Sequence, residues 1–176
     1  MLDTNELYLG DRVHLTFIDQ NCDDLRKNLL TADLERIRIF EEKVQDVDLS
    51  VFEELEANDL LFVDSSHVMK VGSDVHTILF DILPRLASGV FIHFHDIRYP
   101  FQYPKDMIMA GVFWNEAYLL RAFLMNNKSY DIAFWLNYII NSGLPEVDKL
   151  LAFLPLSQQW GNFSGAGGSI YIVKKE

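Results

Sequence analysis

Two short phrases in this chain join histidine to carboxylate: "DSSH" at Asp64–His67 and "HFHD" at His93–Asp96. Each closes an apolar run, "LLFV" before the first and "GVFI" before the second. Imidazole titrates near neutrality and can take up and return protons, whereas a carboxylate accepts hydrogen bonds or ligates a hard cation. His67, His95, Asp64 and Asp96 therefore suit general acid–base chemistry or the binding of a divalent ion. His93 and His95 also form an H-x-H pair that points to one side of a strand, which keeps a hydrolytic Zn²⁺ or Mn²⁺ site open as an alternative. Plainer readings exist for each residue. An Asp after a strand often caps the following turn, "SSH" reads as a turn, and His93 suits a satisfied core position. Two such endings on either side of one helix favour a shared site over coincidence.

The elements that carry these phrases follow from periodicity. "RVHLTFID" (Arg12 to Asp19) and "RIRIFEEKV" read as strands, with the helical spacing of Leu25, Leu29 and Leu30 between them. "DLSVFEELEAN" reads as a short acidic helix capped by Asp48 or Ser50, and "DLLFVD" as a strand buried on both faces. "GSDVHTILFDILPRLASG" predicts an amphipathic helix, capped by Ser73 or Asp74 and ended by Gly89. Its stripe is Val75, Ile78, Leu79, Ile82, Leu83 and Leu86. With "VFIHFHD" as the next strand, this is a βαβ unit and implies a largely parallel sheet. "FWNEAYLLRAFLM" is apolar almost all round and predicts a helix that is buried or faces a pocket. "YDIAFWLNYI" and "SIYIVKK" predict late strands paired antiparallel at one edge, joined through the Gly- and Ser-rich "LSQQWGNFSGAGG", read as a mobile linker. In an open α/β sheet ligands bind beyond the carboxyl ends of the strands, where Asp19, Asp64, His95 and Asp96 all fall.

Length and composition bound the partners. The 176 residues suit one domain spanning 1–176, and 49% apolar residues exclude disorder. Fifteen basic residues against 26 acidic ones give a net charge of −11, which disfavours nucleic acid and anionic membranes. The single Cys22 excludes an internal disulfide and fits a reducing compartment, so a cytoplasmic location with no membrane span is expected.

From Arg12 onward the chain resembles the class I S-adenosylmethionine-dependent methyltransferases, in a bacterial small-molecule branch. The resemblance is carried by "LLFVDSSHVMKVGSDV", "ILPRLASGVFIHFHDIRYPFQYP" and "FWNEAYLLRAFLM". It implies a Rossmann-like, mostly parallel α/β sheet flanked by helices, with S-adenosylmethionine as cofactor and a small-molecule or sugar hydroxyl as acceptor. It assigns Asp19 to the ribose hydroxyls, the region of Gln45 and Asp46 to the adenine, and Asp64 with the adjoining Ser65 to the methionine part. His67, His95 and Asp96 become the catalytic candidates, with a pocket closed by "RYPFQYP" and by Trp114, Asn115, Tyr118 and Arg121. Tyr118 reads as core. Asp64 and Asp96 are also the candidate Mg²⁺ ligands, but related O-methyltransferases add a neighbouring Asn where this chain has Ile97, so catalysis by histidine is favoured over a metal.

One departure from the family pattern bears on the expectations. Such enzymes carry a strand and an E-x-G-x-G loop ahead of the "TFID" strand, whereas here "MLDTNELYLGD" with its lone Gly10 precedes it. The resemblance thus implies an N-terminally truncated methyltransferase that binds its cofactor weakly by itself and forms a homo-oligomer to cover exposed edges. A non-catalytic remnant, or a subunit completed by a partner chain, is the alternative.

Overall fold

The computed structural model describes residues 1–147, 149 and 168–175, which fall into two compact units, Met1–Asp48 and Leu49–Glu176. In the first, α1 (Leu2–Leu9) leads to β1 (Leu15–Ile18), α2 (Asp23–Asn28), a 3₁₀ turn (Thr31–Glu35) and β2 (Ile37–Phe40). β1 and β2 pair in parallel, Leu15 opposite Ile37 and Ile18 opposite Phe40. Gly10 ends α1 in the left-handed conformation at φ 62°, where its N–H donates to the Asn5 carbonyl. That position suits glycine because it has no Cβ to clash. Buried Asn5 then holds the entry to β1, donating to the Val13 carbonyl at 2.8 Å and accepting from the Val13 N–H at 3.0 Å.

The second unit contains α3 (Ser50–Glu53), β3 (Leu60–Val63), α4 (Asp74–Thr77), β4 (Phe91–His95), α5 (Lys105–Met109), α6 (Glu116–Leu124), β5 (Tyr130–Trp135), α7 (Leu136–Ile140) and β6 (Ser169–Lys174). Its sheet has the order β3-β4-β6-β5. β3 and β4 are parallel, and β6 runs antiparallel to both β4 and β5. The expected βαβ unit and the antiparallel late pair are therefore both present, in a mixed α/β, Rossmann-like arrangement.

α4 begins where the sequence predicts, with the Ser73 hydroxyl accepting from the His76 N–H at 3.2 Å. The helix continues as a π turn over Ile78–Ile82 and a 3₁₀ turn over Leu83–Arg85. Pro84 gives the reason: it lacks an N–H and its ring crowds the carbonyl four residues back, so regular α geometry cannot persist. All six residues of the predicted stripe, Val75 to Leu86, are buried, together with Ile92, Phe94, Ile170 and Ile172 of the sheet. Burial of each such side chain is worth about 1.5–3 kcal/mol, so this stripe is a main source of the unit's stability. Tyr130 and Lys174 tie the sheet to the helix end, donating to the carbonyls of Leu83 (2.6 Å) and Pro84 (2.7 Å) respectively.

Several expectations change in detail. The "DLLFVD" strand is not buried on both faces: β3 lies at the sheet edge, leaving Leu60 48% and Phe62 41% exposed. Leu49 holds the N-cap position of α3 in place of Asp48 or Ser50. The helix predicted to end at Gly89 stops at Arg85, and Gly89 (φ 87°) instead shapes the turn into β4. "YDIAFWLNYI" changes from strand to helix after Trp135. The "LSQQWGNFSGAGG" linker lies outside the described residues except for its terminal glycine. Among the described residues no helix is long and apolar enough to cross a membrane.

Candidate active site

β3 and β4 run side by side with Val63 opposite Phe94, so Asp64 and His95 emerge at the same carboxyl end of the sheet. Asp96 follows at φ 57°, in the left-handed region that is uncommon for non-glycine residues and that Asp enters more readily than most. β6 starts beside it. A Cβ at Gly168 would lie 2.7 Å from the Asp96 carbonyl carbon. His67, on the loop after β3, is likewise left-handed at φ 58°. Non-glycine residues held in this region at a candidate site mark a backbone fixed by its surroundings.

The loop carrying His67 is pinned by the start of α6. The His67 carbonyl accepts the N–H groups of Asn115 (3.0 Å) and Glu116 (3.2 Å). The Asn115 side chain accepts from the Met69 N–H at 2.6 Å and donates to the Met69 carbonyl. Glu116 is 1% exposed, and its Oε2 lies 2.7 Å from His67 Nδ1. Its Oε1 accepts from the Ser65 hydroxyl at 2.8 Å, and the same hydroxyl accepts the His67 N–H at 2.9 Å. Trp114 packs over the imidazole with ring centroids 4.0 Å apart. The other ring nitrogen, Nε2, faces Asp64 Oδ1 at 3.6 Å, beyond hydrogen-bond length.

These contacts set the electrostatics of His67. Burial alone pulls its pKa down. The hydrogen bond and charge of Glu116, with the charges of Asp96 and Asp64, outweigh it, and the net shift is upward. Tyr103, from the "RYPFQYP" loop, accepts the Ala117 N–H at 2.9 Å, and burial drives its phenol pKa well above the ordinary value.

Of the two catalytic histidines the sequence suggests, only His67 is held in this way. His95 is 40% exposed, with Nε2 3.9 Å from Asp96 Oδ1. His93 is a core residue, stacked on Tyr171 at 4.3 Å and hydrogen-bonded to Ser169 at 3.1 Å. Its pKa is lowered, chiefly by burial. Ile97, beside Asp96, is fully buried. Among the described residues no group of three or more His, Cys, Asp or Glu is placed to hold a metal ion. Tyr118 is 46% exposed, not core, because it lies on the outer side of α6 with its ring against the edge of Tyr103. Asp19, Gln45 and Asp46 belong to the first unit. Asp19 follows β1 as an exposed residue whose Oδ1 accepts the Asn21 N–H at 2.9 Å, and Gln45 and Asp46 lie in the turn after β2.

Sequence reasoning missed Glu116. A signal was present: a carboxylate that opens a helix apolar almost all round needs a partner once it is buried, since an isolated buried charge is costly.

A family model described as a methyltransferase domain matches residues 2–97, more than half of the chain. The chain thus belongs to the class I S-adenosylmethionine-dependent methyltransferases. No curated protein and no solved structure matches it in the same comparisons. The matched span includes Asp19, Asp64, His67, His95 and Asp96, whereas Glu116 lies beyond it.

Proposed function

We propose that the chain transfers a methyl group from S-adenosylmethionine to a hydroxyl of a small molecule or sugar, with His67 as general base. The observation that carries this reading is the buried imidazole of His67, held by Glu116 on one nitrogen while the other faces Asp64 at the end of β3. The donor supplies an electrophilic methyl on sulfur. The chain's task is to hold the acceptor oxygen in line with it and remove the oxygen's proton.

Asp64 Oδ1 and His67 Nε2, 3.6 Å apart, form two acceptors that one hydroxyl donor can bridge. A raised pKa makes His67 a stronger base at the cost of a smaller unprotonated fraction at neutral pH, so turnover should rise toward mildly alkaline pH. Asp19 is assigned to the ribose hydroxyls. It is exposed at the end of β1, and a carboxylate has lone pairs beyond the one used by Asn21. Gln45 and Asp46 are assigned to the adenine, and Asp64 to the methionine end. Ser65 is assigned with Asp64 to the cofactor, and its hydroxyl also supports the base, donating to Glu116 and accepting the His67 N–H. His95 and Asp96 line the acceptor side. No step is assigned to Mg²⁺: Ile97, the residue beside Asp96, is buried and has no side-chain atom that could ligate a cation.

The test is incubation with S-adenosylmethionine labelled in the methyl group and a panel of sugars, phenols, amines and thiols. Label should enter hydroxyl acceptors with one S-adenosylhomocysteine formed per methyl transferred. Transfer confined to amines or thiols would reject the assignment.

A further inference from the structure

A carboxylate that ionises has only acceptor sites, so the nitrogen it touches must supply the proton. Glu116 Oε2 is 2.7 Å from His67 Nδ1 and its other oxygen is already engaged by Ser65. A half-turn of the ring would put a carbon where Nδ1 meets Glu116 and so lose this contact. The main chain is equally fixed, since α6 binds the His67 carbonyl through two consecutive N–H groups.

We infer that Glu116 is a positioning residue: it holds neutral His67 as the Nδ1–H tautomer and thereby presents the Nε2 lone pair toward Asp64 as the proton acceptor. This deepens, and rests on, the reading of His67 as the base. In the step it serves, the acceptor oxygen forms a bond to the methyl carbon and the carbon–sulfur pair stays on sulfur. The hydroxyl proton moves to Nε2, and the Glu116 carboxylate balances the imidazolium that results. With the opposite tautomer Nε2 would already carry a hydrogen and nothing could be transferred to it.

Two-bond ¹⁵N–¹H correlation spectra of the ¹⁵N-labelled full chain test this without any methyl acceptor. The five histidines are sorted by the signal lost in His67→Gln. At a pH where His67 is neutral, the wild-type ring should show a protonated-type Nδ1 and a bare-type Nε2. Glu116→Gln should lose the single tautomer and give an averaged or Nε2–H pattern, and Glu116→Asp should recover part of the wild-type signature. A wild-type ring with Nε2–H and bare Nδ1 would overturn the inference, as would a Glu116→Gln pattern identical to wild type. Should Glu116→Gln fail to fold, the wild-type spectrum alone decides. If Nδ1–H is found but His67→Gln turns over normally, the positioning geometry stands and the assignment of the base fails.

Discussion

Replacing Gly168 by Ala probes the joint that fixes Asp96. An added Cβ would lie 2.7 Å from the Asp96 carbonyl carbon, 2.9 Å from its Cα and 2.9 Å from the Ile97 nitrogen. Carbon atoms prefer about 3.5–4.0 Å, so the contact is too close by roughly 1 Å. All three obstacles are backbone atoms. Neither side yields easily: Ile97 is fully buried with its carbonyl bound by Trp135, and β6 is paired on both edges, with Ser169 opposite His95. Overpacking of this kind costs about 1–3 kcal/mol. The gain from a stiffer unfolded chain, about 0.4–1 kcal/mol, offsets only part of it. With an m-value of about 2 kcal/mol/M, the urea midpoint should fall by roughly 0.3–1 M. Gly10→Ala is the companion variant. Its Cβ would meet nothing within 4 Å, so any cost there comes from the left-handed backbone alone and should leave the Asp96 amide signal unmoved. A Gly168→Ala midpoint at or above wild type, with Asp96 undisturbed, would refute the reasoning.

Two further outcomes concern charge and cofactor. His67 has a raised pKa in the fold: burial lowers it, but Glu116, Asp96 and Asp64 raise it more. Its stabilising contribution is therefore complete below the unfolded value of about 6.5 and is lost as pH climbs through the folded value. Because Glu116 is the largest raising influence, the urea-midpoint advantage of wild type over Glu116→Gln should shrink between pH of about 6 and about 9. A constant difference would show that the pair is not linked to protonation. Asp19→Ala should weaken S-adenosylmethionine binding by about tenfold or more in titration calorimetry, since hydrogen bonds to a charged group contribute about 1.5–3 kcal/mol. Unchanged affinity would remove Asp19 from the ribose site.

The sequence discloses what depends on local period and misses what depends on position within the sheet. The Val75–Leu86 stripe is legible because apolar residues at helical spacing must share a face, and all six are buried. Asp64, His95 and Asp96 are legible because an apolar run that stops on a carboxylate marks a strand end. The run "LLFV", by contrast, looks the same whether its strand is central or at an edge, and Leu60 and Phe62 are exposed. The Trp135 strand-to-helix change is also hidden, since "AFWLNYI" supports either period. Glu116 is 49 residues from His67, and no spacing rule connects them. Only the cost of a carboxylate among apolar neighbours points to a partner, without naming it.

The central claim is that His67 takes the acceptor's proton. Its most direct test is the single-turnover rate of labelled methyl transfer to the best hydroxyl acceptor, for wild type and His67→Gln, with donor affinity measured by calorimetry on both. A base acts in the transition state and not in ground-state binding, so the rate should fall by about 10²–10⁴-fold while donor affinity stays within about twofold. A His67→Gln enzyme that transfers methyl within about threefold of the wild-type rate at saturating donor and acceptor would contradict the account.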